Sequence, residues 1–402
     1  MTTDKHNKRP NVPPLRFPEF TDEWEHRKLS EFTERVTRKN KGQTNLPLTI
    51  SAQYGLVDQI SFFNNKVASA DMSNYYLLKK GEFTYNKSYS TDYPLGAIKR
   101  LNRYEMGAIS TLYICFKING DIESDFLVHY FESPKWHRGV YEIAGEGARN
   151  HGLLNIAVGD FFETQHFRPK SIREQEKIAH FLTLIQHRIE VQSGLINKLE
   201  SLISGIGQRV FLHFNSFEKL GNVAKITNGN SDVQDAIEIY ESGLYPFYDR
   251  SDVIKYLNTY YLDKEAIIYA GEGSEFFPRY HNGKFALHQR CYAIFDFKEE
   301  YLPKFIYYYM FTLNGYFVRN SVGSTVPSLR MGTFEKVNIP KVPVKQQLYI
   351  IKVFDCLHKK LHQAKQTKRL FEMQKQYLLQ QMFIETTVAG DIVSVVYNSR
   401  SA

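Results

Sequence analysis

Apolar residues recur at alternating steps of four and three through a long segment in the middle of the chain. Counted from Ile178, these steps select ten positions up to Val210, and nine of the ten are apolar. This heptad spacing is typical of a coiled-coil helix. We therefore predict a helix over residues 171–212, with Ser171 and Glu174 forming a capping box at its start. Three glycines should weaken it locally: Gly194, Gly205 and Gly207.

A second segment near the end of the chain follows the same spacing from Ile350 to Met382, with lysines at two of the positions, Lys368 and Lys375. Pro343 lies near the first turn, where a helix tolerates proline. We predict a helix over residues 341–384. A helix of about 40 residues is roughly 60 Å long, and an apolar stripe of that length has to be buried.

The two helices are predicted to pack on each other as an antiparallel coiled coil, because a whole globular segment separates them. The alternative is that each helix packs on its own globular domain, but neither seam has the wide apolar stripe of a core helix. The predicted seam consists of Ile178, Leu182, Ile185, Ile189, Ile196, Leu199, Ile203, Ile206 and Val210 in the first helix, and Phe354, Leu357, Leu361, Phe371, Leu378 and Met382 in the second.

The chain also repeats itself, with an offset of 171 to 172 residues between the two helical segments. Both begin with Pro-Lys, at Pro169 and Pro340, pass through a glutamine-containing turn and end in Gln-x-x-Phe. Further correspondences join residues 24–32 to 217–223, 80–85 to 264–269, and 145–149 to 322–326. Chance similarity of helices is the alternative, but several correspondences in the same order favour an internal duplication.

The predicted fold is mixed α/β (α+β): two similar globular domains separated by the long helices, as a repeat with pseudo-two-fold symmetry. Alternating runs at 112–118 and 266–270 predict strands. The runs at 126–131 and 305–310 predict short buried helices. The expected organisation is an N-terminal segment (1–23), a first domain (24–170), a first helix (171–212), a second domain (213–340), a second helix (341–384) and a tail (385–402).

Composition narrows the class of protein. The 402 residues are 43% hydrophobic and 23% charged, which is ordinary for a folded soluble chain of two or three domains. No run approaches about 18 apolar residues, and the N-terminus lacks a secretory signal, so a cytoplasmic protein without a membrane span is expected. The three cysteines are far apart, which argues against a disulfide framework. A net charge of +8 favours a polyanionic partner such as nucleic acid.

Searches for catalytic motifs find nothing complete. The chain has no phosphate-binding loop, nucleophile elbow or zinc-protease motif. Gly145-Glu-Gly147 and Gly271-Glu-Gly273 are incomplete as dinucleotide-binding motifs. His281, His288 and Cys291 could surround zinc, but they are better explained as polar loop residues. We therefore predict a chain that binds and positions, with no catalytic residues and no metal.

Two DNA-binding domains held at a fixed separation would suit a DNA target split into two halves. Because the loops of the two domains differ in sequence, the two halves should differ as well. The sequence resembles the specificity (S) subunit of a Type I restriction-modification system. The resemblance rests on segments 14–24, 85–89, 96–101, 110–113, 173–179 and 323–325, in this order and duplicated. It covers residues 14–384; departures are Gln346-Gln-Leu-Tyr-Ile350 at the second helix start and the tail after Ile384.

The resemblance implies that each globular domain is a target recognition domain and that the helices set the spacing and dock the modification subunits. Two modification (M) subunits would complete an adenine-N6 DNA methyltransferase that uses S-adenosylmethionine. Two restriction (R) subunits would add an ATP-dependent endonuclease that uses Mg²⁺. The chain itself would bind no cofactor and catalyse nothing. It would serve bacterial defence in the cytoplasm, associated with the nucleoid when bound to double-stranded DNA.

Residues predicted to contact DNA are loop residues with forked, amide, hydroxyl or basic side chains. In the first domain these are Asn86, Lys87, Ser88, Tyr89, Lys99, Arg100, Arg103, Arg149, Asn150 and His151. In the second domain these are Arg279, Tyr280, His281, Lys284, His288, Gln289, Arg290, Ser324, Thr325 and Arg330.

Three alternatives stay open at this stage. A fused methyltransferase lacks both motifs and a spare segment of about 300 residues. A non-catalytic coiled-coil adaptor without a DNA role fits the basic charge and polar loops less well. A silent recognition cassette would have the same sequence features as an active subunit. The target bases and their spacing do not follow from the residues, because shape readout adds positions that no side chain touches.

Overall fold

The computed structural model describes residues 11–51, 54–63, 69, 71–88, 90, 93–145 and 153–385. The chain divides into two compact units. Unit 1 runs up to Glu190 and resumes at Lys368, and unit 2 comprises Val191–Thr367. The division falls within both long helices. Each unit therefore consists of one globular domain together with the adjoining parts of the two helices.

The elements of the first half are short strands followed by helices. The strands are β1 (Glu25–Lys28), β2 (Thr33–Arg35), β3 (Leu48–Ser51), β4 (Gly55–Asp58), β5 (Tyr76–Lys79), β6 (Phe83–Asn86), β7 (Ala97–Arg100), β8 (Met106–Ile109), β9 (Ile114–Ile118) and β10 (Gln165–Arg168). The helices are α1 (Gln59–Phe63), α2 (Ser124–Glu132), α3 (His137–Ile143), α4 (Val158–Glu163) and the long α5 (Ile172–Leu212).

The second half repeats this order. Its strands are β11 (Phe217–Lys219), β12 (Lys225–Asn228), β13 (Tyr245–Tyr248), β14 (Lys255–Leu257), β15 (Leu262–Ala270), β16 (Arg279–Leu287), β17 (Cys291–Phe295) and β18 (Asn338–Pro340). Its helices are α6 (Leu220–Val223), α7 (Pro303–Phe311), α8 (Asn314–Arg319), α9 (Met331–Glu335) and the long α10 (Val344–Gln381). Short 3-10 turns lie at 29–31, 134–136 and 233–235.

Unit 1 is built on a four-stranded sheet in the order β2-β9-β6-β7, with two-stranded pairs β3-β4 and β5-β8 beside it. The first and last strands of the domain, β1 and β10, pair antiparallel and bring Glu25 opposite Arg168. One face of the sheet buries stacked rings such as Phe83 and Phe116 against the helices. The other face buries a smaller cluster that includes Cys115. Because β1 pairs with β10, the start and the end of the domain lie together where the chain enters α5.

Unit 2 has a six-stranded sheet in the order β12-β17-β15-β16-β13-β14. Strand β16 ends beside Leu262, the start of β15, whereas β17 begins beside Ala270, the end of β15. Those two positions would be about 26 Å apart along a straight strand. The connection 288–290 has only three residues, so its flanking residues are at most about 14 Å apart. The sheet must therefore curl on itself, and this curvature gathers its loops.

The long helices run antiparallel, as predicted. In unit 2, Ile196 and Leu199 of α5 pack with Leu361 and Ala364 of α10, and Lys365 bonds Glu200 at 2.7 Å. In unit 1, residues Ile178 to Ile189 share a core cluster with Leu378 and Met382. All predicted seam residues are buried or half-buried. The seams also belong to the domain cores, so the alternative of packing on the globular domain describes part of the same arrangement.

Two details of the predicted long helices are wrong: the capping box of the first and the bounds of the second. The Glu174 carboxylate makes no capping box; it accepts bonds from Arg16 (2.7 Å) and the Trp24 indole (3.1 Å) instead. The second helix spans Val344–Gln381 and is shorter at both ends than predicted. Its first turn is set by the Pro343 carbonyl, which accepts from the amide of Gln347 at 3.1 Å. Proline itself has no amide hydrogen to donate.

A buried glutamine in the first turn of each long helix holds the globular domain to that helix. In unit 1, Gln175 Oε1 accepts from the Glu123 amide at 2.8 Å and Nε2 donates to the Pro169 carbonyl at 2.9 Å. In unit 2, Gln347 Oε1 accepts from the Leu302 amide at 2.8 Å and Nε2 donates to the Val342 carbonyl at 2.7 Å. These matching contacts confirm the internal repeat.

The predicted local elements are confirmed as well. The runs at 126–131 and 305–310 lie in α2 and α7, and that at 266–270 lies in β15. The strand expected over 112–118 begins at Ile114, because Leu112 is exposed in the preceding turn. No helix in the described part of the chain has the length and hydrophobicity that a bilayer crossing needs.

Candidate nucleic-acid interface

Four connections of unit 2 converge at one place on the curled sheet. The Gly229 amide donates to the Cys291 carbonyl at 3.1 Å, and the Gln289 amide donates to the Ser231 carbonyl at 3.1 Å. The Leu329 amide donates to the Gly271 carbonyl at 2.7 Å. These backbone bonds fix the positions of the connections relative to one another. We call residues 229–232, 271–275, 288–290 and 322–330 the unit 2 loop surface.

The unit 2 loop surface brings together six residues predicted to contact DNA: His288, Gln289, Arg290, Ser324, Thr325 and Arg330. Five of these are exposed, and His288 is half-buried, accepting from the Arg290 amide at 3.1 Å. Gly323 has a φ of 102°, a conformation that favours glycine, and the next two residues carry exposed hydroxyls. The surface thus presents amide, guanidinium and hydroxyl groups, which suit base edges and phosphates.

Arg290 is not free on this surface. Its guanidinium bonds the Glu272 carboxylate at 3.0 Å, although its own side chain is 64% exposed. The Glu272 side chain is only 20% exposed, so the pair is partly shielded from water. A base edge that engaged Arg290 would compete with this carboxylate for the guanidinium donors.

The four predicted residues of β16 are placed differently. Arg279 donates to the Ser251 carbonyl at 2.7 Å and lies over the Tyr248 ring. Tyr280 donates its hydroxyl to Glu265. His281 bonds the Tyr248 hydroxyl at 3.0 Å, and burial lowers its pKa. These three side chains hold the curled sheet together.

Of the four predicted residues of β16, Lys284 alone is exposed, with its ammonium over the Tyr260 ring at 4.7 Å.

Among the described residues, no group of histidine, cysteine or acidic side chains could hold a metal ion.

In unit 1, the predicted loop after β6 lies against the chain at 153–156. The Lys87 carbonyl accepts from the Leu154 amide at 2.9 Å, and the Lys87 ammonium donates to the Ile156 carbonyl at 3.4 Å. Asn86 Oδ1 accepts from the Ser88 amide at 3.0 Å, and Ser88 is exposed. Tyr89, Arg149, Asn150 and His151 lie outside the described residues.

The three predicted residues around β7 differ in their surroundings. Arg100 donates to Asn102 at 2.7 Å and forms an ion pair with Asp125 at the start of α2. Lys99 is half-buried; burial lowers its pKa, and the charge of Glu132 opposes that shift. The Arg100 side chain therefore braces the sheet against α2. Arg103, in the turn that follows, is exposed.

Asn230 and Glu272 also belong to the unit 2 loop surface, although no motif in the sequence marks them. Glycines mark the site. A Cβ at Gly271 would lie 2.2 Å from the Arg290 carbonyl oxygen, and one at Gly229 would lie 2.1 Å from that of Leu287. Only glycine permits this close approach of the connections. Gly271-Glu-Gly273 was therefore informative, but as a loop junction and not as an incomplete nucleotide motif.

Comparisons with known proteins agree with this arrangement. Residues 215–370 match the family model of the Type I restriction modification DNA specificity domain. The specificity subunit of the Escherichia coli Type I restriction enzyme EcoDI is 30% identical over 162 residues, which are 40% of this chain and 34% of that protein. The match therefore spans about a third of the length of that relative.

Two solved structures share the fold. The S subunit of a Type I restriction-modification system from M. genitalium has a TM-score of 0.63 at 16% identity, covering 94% of this chain and 100% of that one. A chain from a study of complex assembly and conformational transition of the type I R-M system has a TM-score of 0.54 at 14% identity, covering 92% and 99%. At such identities the likeness concerns the fold alone: two α/β domains on long antiparallel helices. Residues 215–370 therefore resemble the Type I restriction modification DNA specificity domain, and the chain shares the fold of these two structures.

Proposed function

We propose that this chain is the DNA specificity subunit of a Type I restriction-modification complex and that each globular domain reads one half of a bipartite, asymmetric target. The observation that carries the proposal is the match of the DNA specificity domain to residues 215–370. The first domain supports it, because it is joined to its helix through Gln175 as the second is through Gln347. Two copies of one reading domain imply two reading sites.

The two half-sites should differ because the candidate loops differ. The loop after β6 offers the exposed hydroxyl of Ser88, and Arg103 lies in a later turn. The unit 2 loop surface offers Gln289, Arg290 and the hydroxyls of Ser324 and Thr325. Side chains with different donors and acceptors select different base pairs in the major groove. Tyr89 and residues 149–151, which lie outside the described residues, stay part of the proposal on sequence grounds.

Methylation and cleavage belong to partner subunits in this proposal. Two modification subunits would transfer methyl groups from S-adenosylmethionine to adenine N6. Two restriction subunits would hydrolyse ATP with Mg²⁺ and cut the DNA. The present chain would supply the choice of sequence and the spacing between its halves, acting on cytoplasmic, nucleoid-associated DNA. A coiled-coil adaptor and a silent recognition cassette are the competing functions.

An exposed apolar stripe on α5 is our candidate for docking a modification subunit. In unit 2 it consists of Val191, Leu195 and Leu202. Leu195 and Leu202 directly precede the seam residues Ile196 and Ile203, so the stripe lies about 100° around the helix from the seam. Exposed apolar residues at heptad spacing are unfavourable in water unless a partner covers them.

Co-purification with the modification subunit tests this docking face. Leu195→Glu with Leu202→Glu should reduce the amount of complex. Ser201→Glu, on another side of the same helix, is the matched control and should leave it unchanged. Equal recovery of all variants would exclude the stripe as a docking face and would leave the DNA proposal standing.

Mapping of N6-methyladenine tests the proposed function directly. The chain is co-expressed with its modification subunit in a host without such methylation, and methylated positions are read genome-wide. We expect one split, asymmetric motif with one methylated adenine in each half. No new methylation from an assembled complex would contradict the proposal and favour the silent cassette or the adaptor.

The contribution of the unit 2 loop surface is tested with Arg290→Ala. If Arg290 reads a base, binding of the methylome-defined duplex weakens by about 1–3 kcal/mol and selectivity falls in one half-site only. Glu272→Gln is the control, because it releases Arg290 without removing its donors. Unchanged affinity and selectivity of Arg290→Ala would remove this residue from the interface.

A further inference from the structure

A fifth connection of unit 2 lies beside the unit 2 loop surface: the turn 249–254, between β13 and β14. The Tyr248 carbonyl, just before this turn, accepts from the His288 amide at 2.9 Å. Lys255, just after the turn, is opposite Phe247 in the pair of β13 and β14. The turn therefore leaves and rejoins the sheet at the end where the unit 2 loop surface lies.

Strand β13 separates this turn from β16. It pairs with β16 on one side, where Tyr248 is opposite Leu287, and with β14 on the other. Ile254, which directly precedes β14, is thus two strand spacings, about 10 Å, from Leu287 and the connection 288–290 that follows it. Three base-pair steps of B-DNA also cover about 10 Å. One half-site of a few base pairs could therefore contact both places.

Buried polar and charged groups hold the turn in one conformation. The Asp249 side chain is 5% exposed, and its carboxylate accepts from the Ser251 amide at 2.7 Å and from the Lys255 ammonium at 2.9 Å. Arg279 donates to the carbonyls of Asp249 and Ser251. The Ser251 hydroxyl accepts from the Val253 amide at 3.0 Å. Bracing of this kind fixes the side chains at the tip of the turn, as a recognition site requires.

Two aliphatic side chains project from the braced turn. Val253 is 57% exposed and Ile254 is 41% exposed. Arg250 and Asp252, which are also exposed, carry opposite charges, so the turn gives no net attraction for phosphate. What the turn adds to the polar unit 2 loop surface is an apolar contact.

An aliphatic side chain has no hydrogen-bonding group, so it can distinguish bases only by apolar contact. The apolar group that a base pair presents in the major groove is the methyl group of thymine. We propose that Val253 and Ile254 pack against a thymine methyl group in the half-site read by the second domain and so select an A·T pair there. The inference rests on the proposed function and deepens it, because it names one feature of the target sequence.

Replacement of thymine by deoxyuridine tests this contact, because it removes the methyl group alone. The complex with the modification subunit is titrated with duplexes of the methylome-defined sequence, in which the thymines of both halves are replaced one at a time. We expect one replacement, in one half-site only, to weaken binding about fourfold, the effect of one buried methyl-sized group. In the double variant Val253→Ala with Ile254→Ala, the same replacement should change the affinity by less than about 1.5-fold.

The single variants and a control keep this result interpretable. Val253→Ala alone and Ile254→Ala alone should each lose part of the difference between thymine and deoxyuridine. Leu212→Ala is the matched control, because it also truncates an exposed aliphatic side chain, in the last turn of α5. It should retain the full difference of about fourfold.

Two results would overturn the proposal: no thymine in either half shows the methyl effect, or the double variant retains that effect in full. If the double variant instead lowers recovery of the complex while deoxyuridine has no effect on the wild type, the turn contacts protein and not DNA. A split methylation motif stands under each of these results. Absence of any motif would contradict the proposed function itself, so the two proposals fail separately.

Discussion

Removal of the Lys375 ammonium should selectively destabilise unit 1. Lys375 lies on a helix seam and is only 8% exposed, although it is a charged residue. Its ammonium lies 2.8 Å from the Glu132 carboxylate and 2.8 Å from the Gln186 amide oxygen. Lys375→Met keeps the aliphatic stem and removes the charge. The Glu132 carboxylate then loses its closest cation, whereas burial still penalises its ionised form.

The expected cost follows from the burial of the pair. Breaking a buried ion pair by removing one partner costs about 3–5 kcal/mol. The Glu132 side chain is 25% exposed and retains its bond to His129, so the lower end, about 3 kcal/mol, is expected. An exposed pair serves as the control: Lys365 and Glu200 are 54% and 47% exposed. For Lys365→Met the cost should stay below about 1 kcal/mol.

Tryptophan fluorescence during urea unfolding measures this effect in unit 1 alone. The chain has two tryptophans, Trp24 and Trp136, and both are buried in unit 1. Lys375→Met should lower the midpoint of the fluorescence transition, and Lys365→Met should not. Glu132→Gln combined with Lys375→Met should recover much of the loss, because the side chain that lost its lysine is then uncharged. A Lys375→Met midpoint equal to that of the wild type would refute the reasoning.

Three further predictions concern other single substitutions in the full chain. His166 is fully enclosed in unit 1, where burial above all lowers its pKa to about 3. Between pH 6.5 and that value His166 takes up a proton only in the unfolded chain, so acidification should cost unit 1 up to about 1.4 kcal/mol per pH unit. The urea midpoint of tryptophan fluorescence should therefore change less between pH 7 and pH 5 in His166→Gln than in the wild type. An identical change in both proteins would exclude His166 as the cause. Gln175→Leu leaves the Glu123 amide and the Pro169 carbonyl without partners and should cost about 2–4 kcal/mol, visible by tryptophan fluorescence, while Gln347→Leu should show its loss only by hydrogen exchange in α7 and α10. Gly205→Ala has open space and should stabilise α5 by about 0.5–1 kcal/mol, whereas a Cβ at Gly207 would lie 2.8 Å from Thr312 Cγ2 and should cancel that gain; equal melting temperatures of the two variants would contradict this difference.

The long-range order of the fold could be predicted because it depends on periodic signals. The spacing of apolar residues identified both helices and their seam, and repetition of that spacing identified two domains. Lys375 shows the limit of this reasoning. It interrupts the predicted seam, and its partners Glu132 and Gln186 lie 243 and 189 residues earlier in the chain. Pattern alone assigns no partner to a charge at such distances.

The candidate DNA contacts were harder to predict for a related reason. Arg279 and Arg100 have the same side-chain chemistry as Arg290, which is 64% exposed, yet their guanidinium groups are held within the fold. Whether a basic residue is committed internally depends on the curvature of the sheet and on the approach of distant connections. Those features depend on glycines such as Gly229 and Gly271, whose role appears only when the strands are paired.

The buried glutamines at the helix starts bond to main-chain atoms only. Gln175 contacts a backbone amide and a backbone carbonyl, and Gln347 contacts one amide and the carbonyls of Glu300 and Val342. Every amino acid offers that carbonyl, and every one except proline offers that amide. A domain of different sequence can therefore be attached to the same helix, provided that its backbone follows the same path. The loops of each domain can therefore change in sequence without weakening the attachment of that domain to the long helices.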